Sequence, residues 1–190
     1  MINLNSDARC YRCEPYQGVF NINGHTLNCD TYCLVNYDSD DNPNDATLNV
    51  GSGRVNAPSG FQTRYGGRTT LTSGIIHVGY FIVYAGTNDG VFDMDGGNVY
   101  ISSYLRVDNG AYFYCDGGTV YLTGGTTVYI HGTTGVLLFN NLTITKSGTS
   151  VVRLTRSIGV SGILDVQSTG ATGGHSGGIE PEGLIIDMDP

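Results

Sequence analysis

Residues 90–122 read GVFDMDGGNVYISSYLRVDNGAYFYCDGGTVYL. The run 90–101 lies over the run 111–122 at a step of 21 residues: Phe92 over Phe113, Asp95 over Asp116, Gly97 over Gly118, Val99 over Val120, Tyr100 over Tyr121. Each copy is an alternating apolar run, a glycine corner and a second alternating run. Alternation at every second residue marks a strand with one buried face. Glycine suits the corner because it tolerates backbone angles that a side chain resists. A unit this short cannot bury its own apolar face, so copies must stack, each covering the next.

Residues 18–29 (GVFNINGHTLNC) supply a third copy. The second run of the unit recurs at Leu27, Val55, Ile76, Val99, Val120, Leu142 and Leu164. From Val55 onward the steps are 21, 23, 21, 22 and 22 residues, and Leu184 and Ile186 beside Gly183 extend the series. The first step is 28, and its surplus is residues 37–45 (YDSDDNPND), a polar insertion that a repeat array ejects as a loop. Further alternating runs fall at 80–84, 104–107, 127–130 and 151–154, so one repeat holds about three short strands.

The expected fold is all-β: a single-domain parallel β-helix, or solenoid, of about 7–8 coils with roughly 21–23 residues each. Alternation should put Val, Ile, Leu and Phe inside and Thr, Tyr, Asn and Arg outside. At about 4.8 Å per coil the rod would be roughly 35–40 Å long. An antiparallel sandwich also offers many short strands, but it does not predict a near-constant repeat. The chain divides into an N-terminal cap and first coil (1–33), the coils proper (34–170, with the acidic loop 37–45) and a Gly-rich linker with a terminal strand (171–190).

Composition agrees. Of 190 residues, 29 are Gly and 13 are Tyr, while six are Ala, three Glu and one Lys. Strong helix formers are nearly missing and strand formers dominate, which excludes a helical bundle, a coiled coil and a doubly wound α/β enzyme. The net charge is −8, with no basic run or stripe. Nucleic acid and anionic membrane surfaces both need clustered Lys and Arg, so neither is an expected partner. No apolar run approaches the length of a membrane-spanning helix. The opening MINLNSDARC has neither a charged n-region nor an apolar core, so it does not read as a signal peptide. Scarce Lys, abundant Thr, Tyr, Asn and Gly, and five Cys favour an exported protein.

The runs GVFDMDGGNVYI (90–101), AYFYCDGGTVYLTGG (111–125) and FNNLTI (139–144), the last followed by TKSGTSVVRL, resemble the repeat regions of large secreted bacterial surface proteins built as right-handed parallel β-helices. The likeness covers roughly residues 18–166 and is one of repeat style. It implies a fold and a cell-surface location, and no activity.

Four cysteines cluster early as Cys10-x2-Cys13 and Cys29-x3-Cys33. Two disulfides stapling the cap to the first coil are the leading reading, with Cys10 or Cys13 joined to Cys29 or Cys33. A tetrahedral zinc and free thiols stay open as alternatives, zinc being weakened because the second pair has three intervening residues where a zinc ribbon usually has two. Cys115, in a strand beside a glycine corner, reads as a small buried residue. Asp38, Asp40 and Asn42 match the first three ligand positions of a calcium loop, but Pro43 stands where such a loop needs Gly, and a solvated acidic loop is the default. No other cofactor is expected.

Glycoside hydrolysis needs two carboxylates held on one face. The acids here fall mostly in turns, His25, His77, His131 and His175 are dispersed, and Arg106, Arg153 and Arg156 read as solvent-facing strand residues. No catalytic residue is assigned and no enzyme is expected. Tyr80, Tyr84, Tyr100, Tyr104, Tyr121 and Tyr129 would be brought toward one face by stacking, as an aromatic ladder able to contact sugars or neighbouring chains. Rows of Tyr also pack well for purely structural reasons. The expected function is a structural extracellular or cell-surface protein that assembles with itself end to end into a filament. The alternative is a carbohydrate-binding or adhesive module of a larger surface protein, with glycans as partners.

Overall fold

A computed structural model of the chain describes residues 1–36, 46–86, 88–132, 136–147, 150–169, 179–181 and 186–188. Among these residues every regular element is a β-strand, and every strand pairing is parallel. The strands wind into a solenoid of about seven turns with three walls.

Wall I carries Ile2–Asn3, Gly18–Asn21, Ala46–Gly51 and Arg68–Leu71, then residues 91–95 and 112–115. Wall I then continues as a separate three-stranded sheet of Leu137–Phe139, Ile158–Val160 and Ile186–Met188 packed next to Tyr112–Leu122. Wall II carries Ala8–Cys10, Thr26–Cys29 and residues 54–57, 75–78, 98–101, 119–122, 141–144 and 164–166. Wall III carries Tyr32–Val35, residues 60–63, 80–83 and 104–107, then Val128–Gly132, Val152–Leu154 and Ile179–Pro181. Val91–Val107 runs through all three walls, and its two register irregularities, near Asp95 and after Ile101, are the bends.

The repeat read from the sequence is the register of wall II. Leu27, Val55, Ile76, Val99, Val120, Leu142 and Leu164 are consecutive partners, and all but Leu164 are fully or nearly fully buried. The end of the series differs. Ile186 pairs with Ile158 on wall I, not with Leu164 on wall II. The segments 179–181 and 186–188 therefore add strands to walls III and I, within what the sequence presented as a linker and terminal strand.

Inside, an aromatic spine follows the axis. Phe61 stacks on Phe81 at 5.2 Å, Phe81 meets Phe92 edge-on at 4.7 Å, and Phe92, Phe113 and Phe139 continue at 5.3 and 5.8 Å. Full burial of a Phe removes a large apolar area from water, so this column is a principal source of cohesion. The corner before wall II explains its glycines. A Cβ on Gly74 would lie 2.2 Å from the Gly53 carbonyl oxygen, on Gly97 2.4 Å from that of Gly74, and on Gly118 2.3 Å from that of Gly97. The coils approach too closely there for any side chain.

Among the described residues seven polar or charged side chains are buried, Asn36, Gln62, Thr63 and Ser150 among them. Thr69, Lys146 and Arg156 are the others, the last contrary to its reading as a solvent-facing strand residue. Thr69 is satisfied by a 2.9 Å bond with the Thr63 hydroxyl, so its burial costs little.

Candidate functional site

The outward face of wall II carries one side chain per coil in strict register: Asn28, Asn56, His77, Tyr100, Tyr121 and Thr143. Successive members stand one strand spacing apart, about 4.8 Å. Asn56 Nδ2 donates to Asn28 Oδ1 at 2.8 Å. The His77 ring meets Tyr100 edge-on at 4.3 Å, and Tyr100 stacks on Tyr121 at 4.4 Å with the planes 8° apart. Amide, imidazole and phenol thus form one continuous polar ladder.

Asn28, Asn56, His77 and Tyr100 of this ladder line an open groove of about 870 Å³, whose other side is the bend between walls II and III at Pro58, Gly79 and Ser102. Burial, assisted by Arg54, lowers the pKa of His77. Both causes favour the neutral imidazole. The two charged groups lining the groove, Arg9 and Asp30, pair with each other at 2.7 Å. The groove presents neutral donors and acceptors and almost no net charge.

Wall III carries a second aromatic row. Tyr32, Gly60, Tyr80, Tyr104 and Tyr129 are register partners. Gly60 is a gap the row needs: a Cβ there would lie 2.3 Å from the Tyr80 ring, which lies across the glycine to within 5.9 Å of Tyr32. Tyr80 and Tyr104 stack at 5.0 Å. Gln62 Nε2 donates to the Tyr80 hydroxyl at 2.6 Å, and Arg64 Nε donates to Gln62 Oε1 at 2.5 Å. Both Arg64 and Arg106 place their guanidinium carbons over Tyr84, at 4.2 and 5.3 Å. Tyr104, Arg106, His131 and Thr155 line a smaller groove of about 420 Å³, where Arg106 Nε donates to Asp108 Oδ1 at 2.6 Å.

The six tyrosines read as a single ladder therefore fall on two walls, Tyr100 and Tyr121 on wall II and Tyr80, Tyr104 and Tyr129 on wall III, with Tyr84 just beyond its strand. Tyr100 and Tyr121 on wall II, and Tyr80 and Tyr104 on wall III, each cover one face of the other, leaving hydroxyls and ring edges to a ligand along those stacks. Tyr112 and Tyr114, half-exposed on wall I, stack at 5.8 Å as a third pair.

The early cysteines do come together. Cys10 and Cys29 are register partners with sulfurs 3.8 Å apart, and Cys13 pairs with Cys33 through an isolated bridge. All five cysteines carry free thiols, and Cys115 is buried with its sulfur 3.8 Å from that of Met94. Thiol hydrogen bonds from Cys29 and Cys33 lower the pKa of Cys13, whereas burial first of all raises Cys10 to about 11. Among the described residues no group of three or more His, Cys, Asp or Glu is disposed to hold a metal ion. Asp38, Asp40 and Asn42 lie outside the described residues. So do His175 and most of 171–190.

Sequence reasoning found the tyrosines and cysteines and missed the amides. Their signal was present: Asn21 and Asn49, like Asn28 and Asn56, are separated by the same 28-residue step that separates Leu27 from Val55. No family model matches this chain, and no curated protein and no solved structure matches it either.

Proposed function

We propose that this protein is a non-catalytic surface rod that binds an extended, neutral, hydroxyl-rich polymer, a glycan, along the groove of wall II. The observation that carries this reading is the in-register ladder Asn28–Asn56–His77–Tyr100–Tyr121. Its repeat of about 4.8 Å per coil is close to the length of one sugar residue in an extended chain. Each sugar could then bond to one or two coils through the same kind of contact, repeated. The Arg9–Asp30 pair and a His77 biased toward its neutral form leave the groove lining with little net charge, Arg54 being the one cation that acts on His77 and Tyr100 from beside it. A catalytic role has no such support: Asp30, Asp93 and Asp108 are each held in an ion pair with an arginine, not poised as an opposed acid and base. A surface location rests on the resemblance of the repeats.

The test is calorimetry or affinity electrophoresis against neutral and acidic polysaccharides. Binding to a neutral polymer, weakened about tenfold by Tyr100→Ala and unchanged by Tyr112→Ala on wall I, supports the reading; loss of one good contact is worth about that factor. Binding confined to acidic polymers, or insensitive to Tyr100, overturns it.

End-to-end assembly is the second reading. One observation favours it: among the described residues Ile2–Asn3 and Ala8–Cys10 each pair with one strand only, and Met1, Ile2 and Tyr11 beside them are exposed by 87, 65 and 74%. An open apolar edge accepts a further strand or a second copy. Filaments in electron micrographs of the concentrated protein, lost on Ile2→Lys, support assembly; short single rods at every concentration refute it.

A further inference from the structure

We propose that the four early thiols are a modification site that closes as two disulfides, Cys10–Cys29 and Cys13–Cys33, each joining the first coil to the second. Spacing alone allows three pairings. The register selects one. Cys10 faces Cys29 across wall II, and Cys13 faces Cys33 where wall III begins. Adjacent strands stand about 4.8 Å apart, inside the Cα separation a disulfide spans. The backbone is already locked in that register: Asp30 N donates to the Cys10 carbonyl at 2.9 Å, Cys13 N to the Tyr32 carbonyl at 3.0 Å, and Leu34 N to the Cys13 carbonyl at 2.9 Å. Closing the 3.8 Å between the Cys10 and Cys29 sulfurs to a bond of about 2.05 Å needs side-chain rotation and little else.

In each pair the first-coil member is partly exposed and the second-coil member is buried. That asymmetry sets the order of events with a small disulfide such as oxidised glutathione. The Cys13 thiolate, favoured by hydrogen bonds from Cys29 and Cys33, attacks one glutathione sulfur and expels the other as a thiolate. Cys33 then attacks the Cys13 sulfur, its proton passing to the departing glutathione sulfur, and the second glutathione leaves as a thiol. Cys10 and Cys29 follow the same course. Four thiols become two disulfides, and two oxidised glutathiones become four thiols. Cys29 also lines the main groove, so the clasp fixes one end of the groove.

The experiment is oxidation of the reduced, purified protein with oxidised glutathione, followed by trapping with N-ethylmaleimide and mass spectrometry. Trypsin and chymotrypsin together cut at Arg12, Tyr16, Phe20 and Tyr32, which separates all four cysteines. The expected result is a mass lower by four hydrogens, peptides bridged Cys10–Cys29 and Cys13–Cys33, and Cys115 alkylated. Bridges in another pairing, four cysteines still alkylated, or tightly held zinc in the reduced protein would overturn the proposal. A Cys33→Ser variant adds a check that does not depend on the final pairing. It should stop with one glutathione held on Cys13, and prompt closure of Cys13 onto Cys29 would count against the assignment.

Discussion

The middle turns, residues 46–122, and the last described turns, residues 136–169, solve one problem in two ways. Wherever a solenoid strand leaves one wall for the next, a carbonyl falls out of the ladder and must find a donor. In the middle turns the donors are backbone amides: Gly74 N bonds the Gly51 carbonyl at 2.7 Å, Ile75 N that of Gly53 at 2.9 Å, and Asn98 N that of Gly74 at 2.9 Å. The glycine column lets the corners close enough for this. Toward the end, backbone bonds such as Gly162 N to the Asn140 carbonyl at 2.8 Å persist, and side chains join them. Asn141 Nδ2 bonds the Gly118 carbonyl at 3.0 Å, Lys146 Nζ that of Thr123 at 2.6 Å, Ser150 Oγ that of Gly125 at 2.5 Å, and an Arg156 guanidinium nitrogen that of Val107 at 3.2 Å. The middle turns keep their interior almost wholly apolar, whereas the last turns place two cations in it. Gly132 leaves the room that the Arg156 side chain occupies, since a Cβ there would lie 2.3 Å from the guanidinium. An interior of alternating apolar residues is thus one way to fill a coil, and polar side chains bonded to corner carbonyls are another.

The largest effect should come from emptying the middle interior. Phe81 touches Phe61, Phe92 and Phe113 and is fully buried. Phe81→Ala should cost about 4 kcal/mol, read as a fall in the urea midpoint. A loss below about 1 kcal/mol would mean that the middle turns collapse around the gap and are not the rigid half of the comparison.

Lys146 probes the other half, and its sign is opposite. Burial lowers its pKa to about 8 from the ordinary 10.5. Below pH 8 the amine is charged in both folded and unfolded chains, and the folded state bears the whole penalty, about 3 kcal/mol. As pH rises from 8 to 10.5 the folded amine is already neutral while the unfolded one still holds its proton, so the penalty fades. Lys146→Met removes that penalty and leaves the Thr123 carbonyl unbonded, which costs about 1 kcal/mol. The variant should be more stable than the parent at pH 7 by about 2 kcal/mol, and the gap should close between pH 8 and 10.5. Tyrosine ionisation acts on both proteins alike and cancels in the difference. A gap constant across that range would show that the amine is not held as a buried cation.

The two halves were unequally legible in the sequence. Alternation plus a constant step located wall II residue by residue from Leu27 to Leu164, because one inward side chain per coil must recur at the coil length. That rule failed where a coil used its inward positions differently. Lys146 lies on the inward parity of Leu142 and Ile144, yet a charge there reads as outward until the Thr123 carbonyl is known to wait for it. The candidate site divided in the same way. The tyrosines stood out by number, but their assignment to two walls depends on bends at Pro58, Gly79 and Ser102 that periodicity does not locate. The asparagine ladders recur at a 28-residue step because the insertion 37–45 lies inside that step, which hid a one-coil relation behind an irregular spacing.

The smallest prediction sharpens the comparison to a single residue type. Asn49 and Asn141 each bridge neighbours, but with different partners. Asn49 Nδ2 donates to Asn21 Oδ1 at 2.8 Å, and its own Oδ1 accepts from the Thr70 hydroxyl at 2.8 Å, both on the outer face of wall I. Asn141 bonds backbone on both sides: its Nδ2 serves the Gly118 carbonyl, and its Oδ1 accepts from Ile163 N at 2.8 Å. When Asn49 is truncated, water can replace it, and Asn49→Ala should cost about 0.5 kcal/mol. Asn141→Ala strips Ile163 N of its acceptor and leaves the Gly118 carbonyl only the longer 3.4 Å bond from Asn140 Nδ2, and about 1.5 kcal/mol is expected, since an unsatisfied backbone group loses more than a side-chain pair does. Asn141→Asp separates the two bonds: the carboxylate keeps the acceptor for Ile163 N and loses the donor for Gly118, so its cost should fall between the other two. Equal costs for Asn49→Ala and Asn141→Ala would mean that the last turns, like the middle ones, hold their corners chiefly through the backbone.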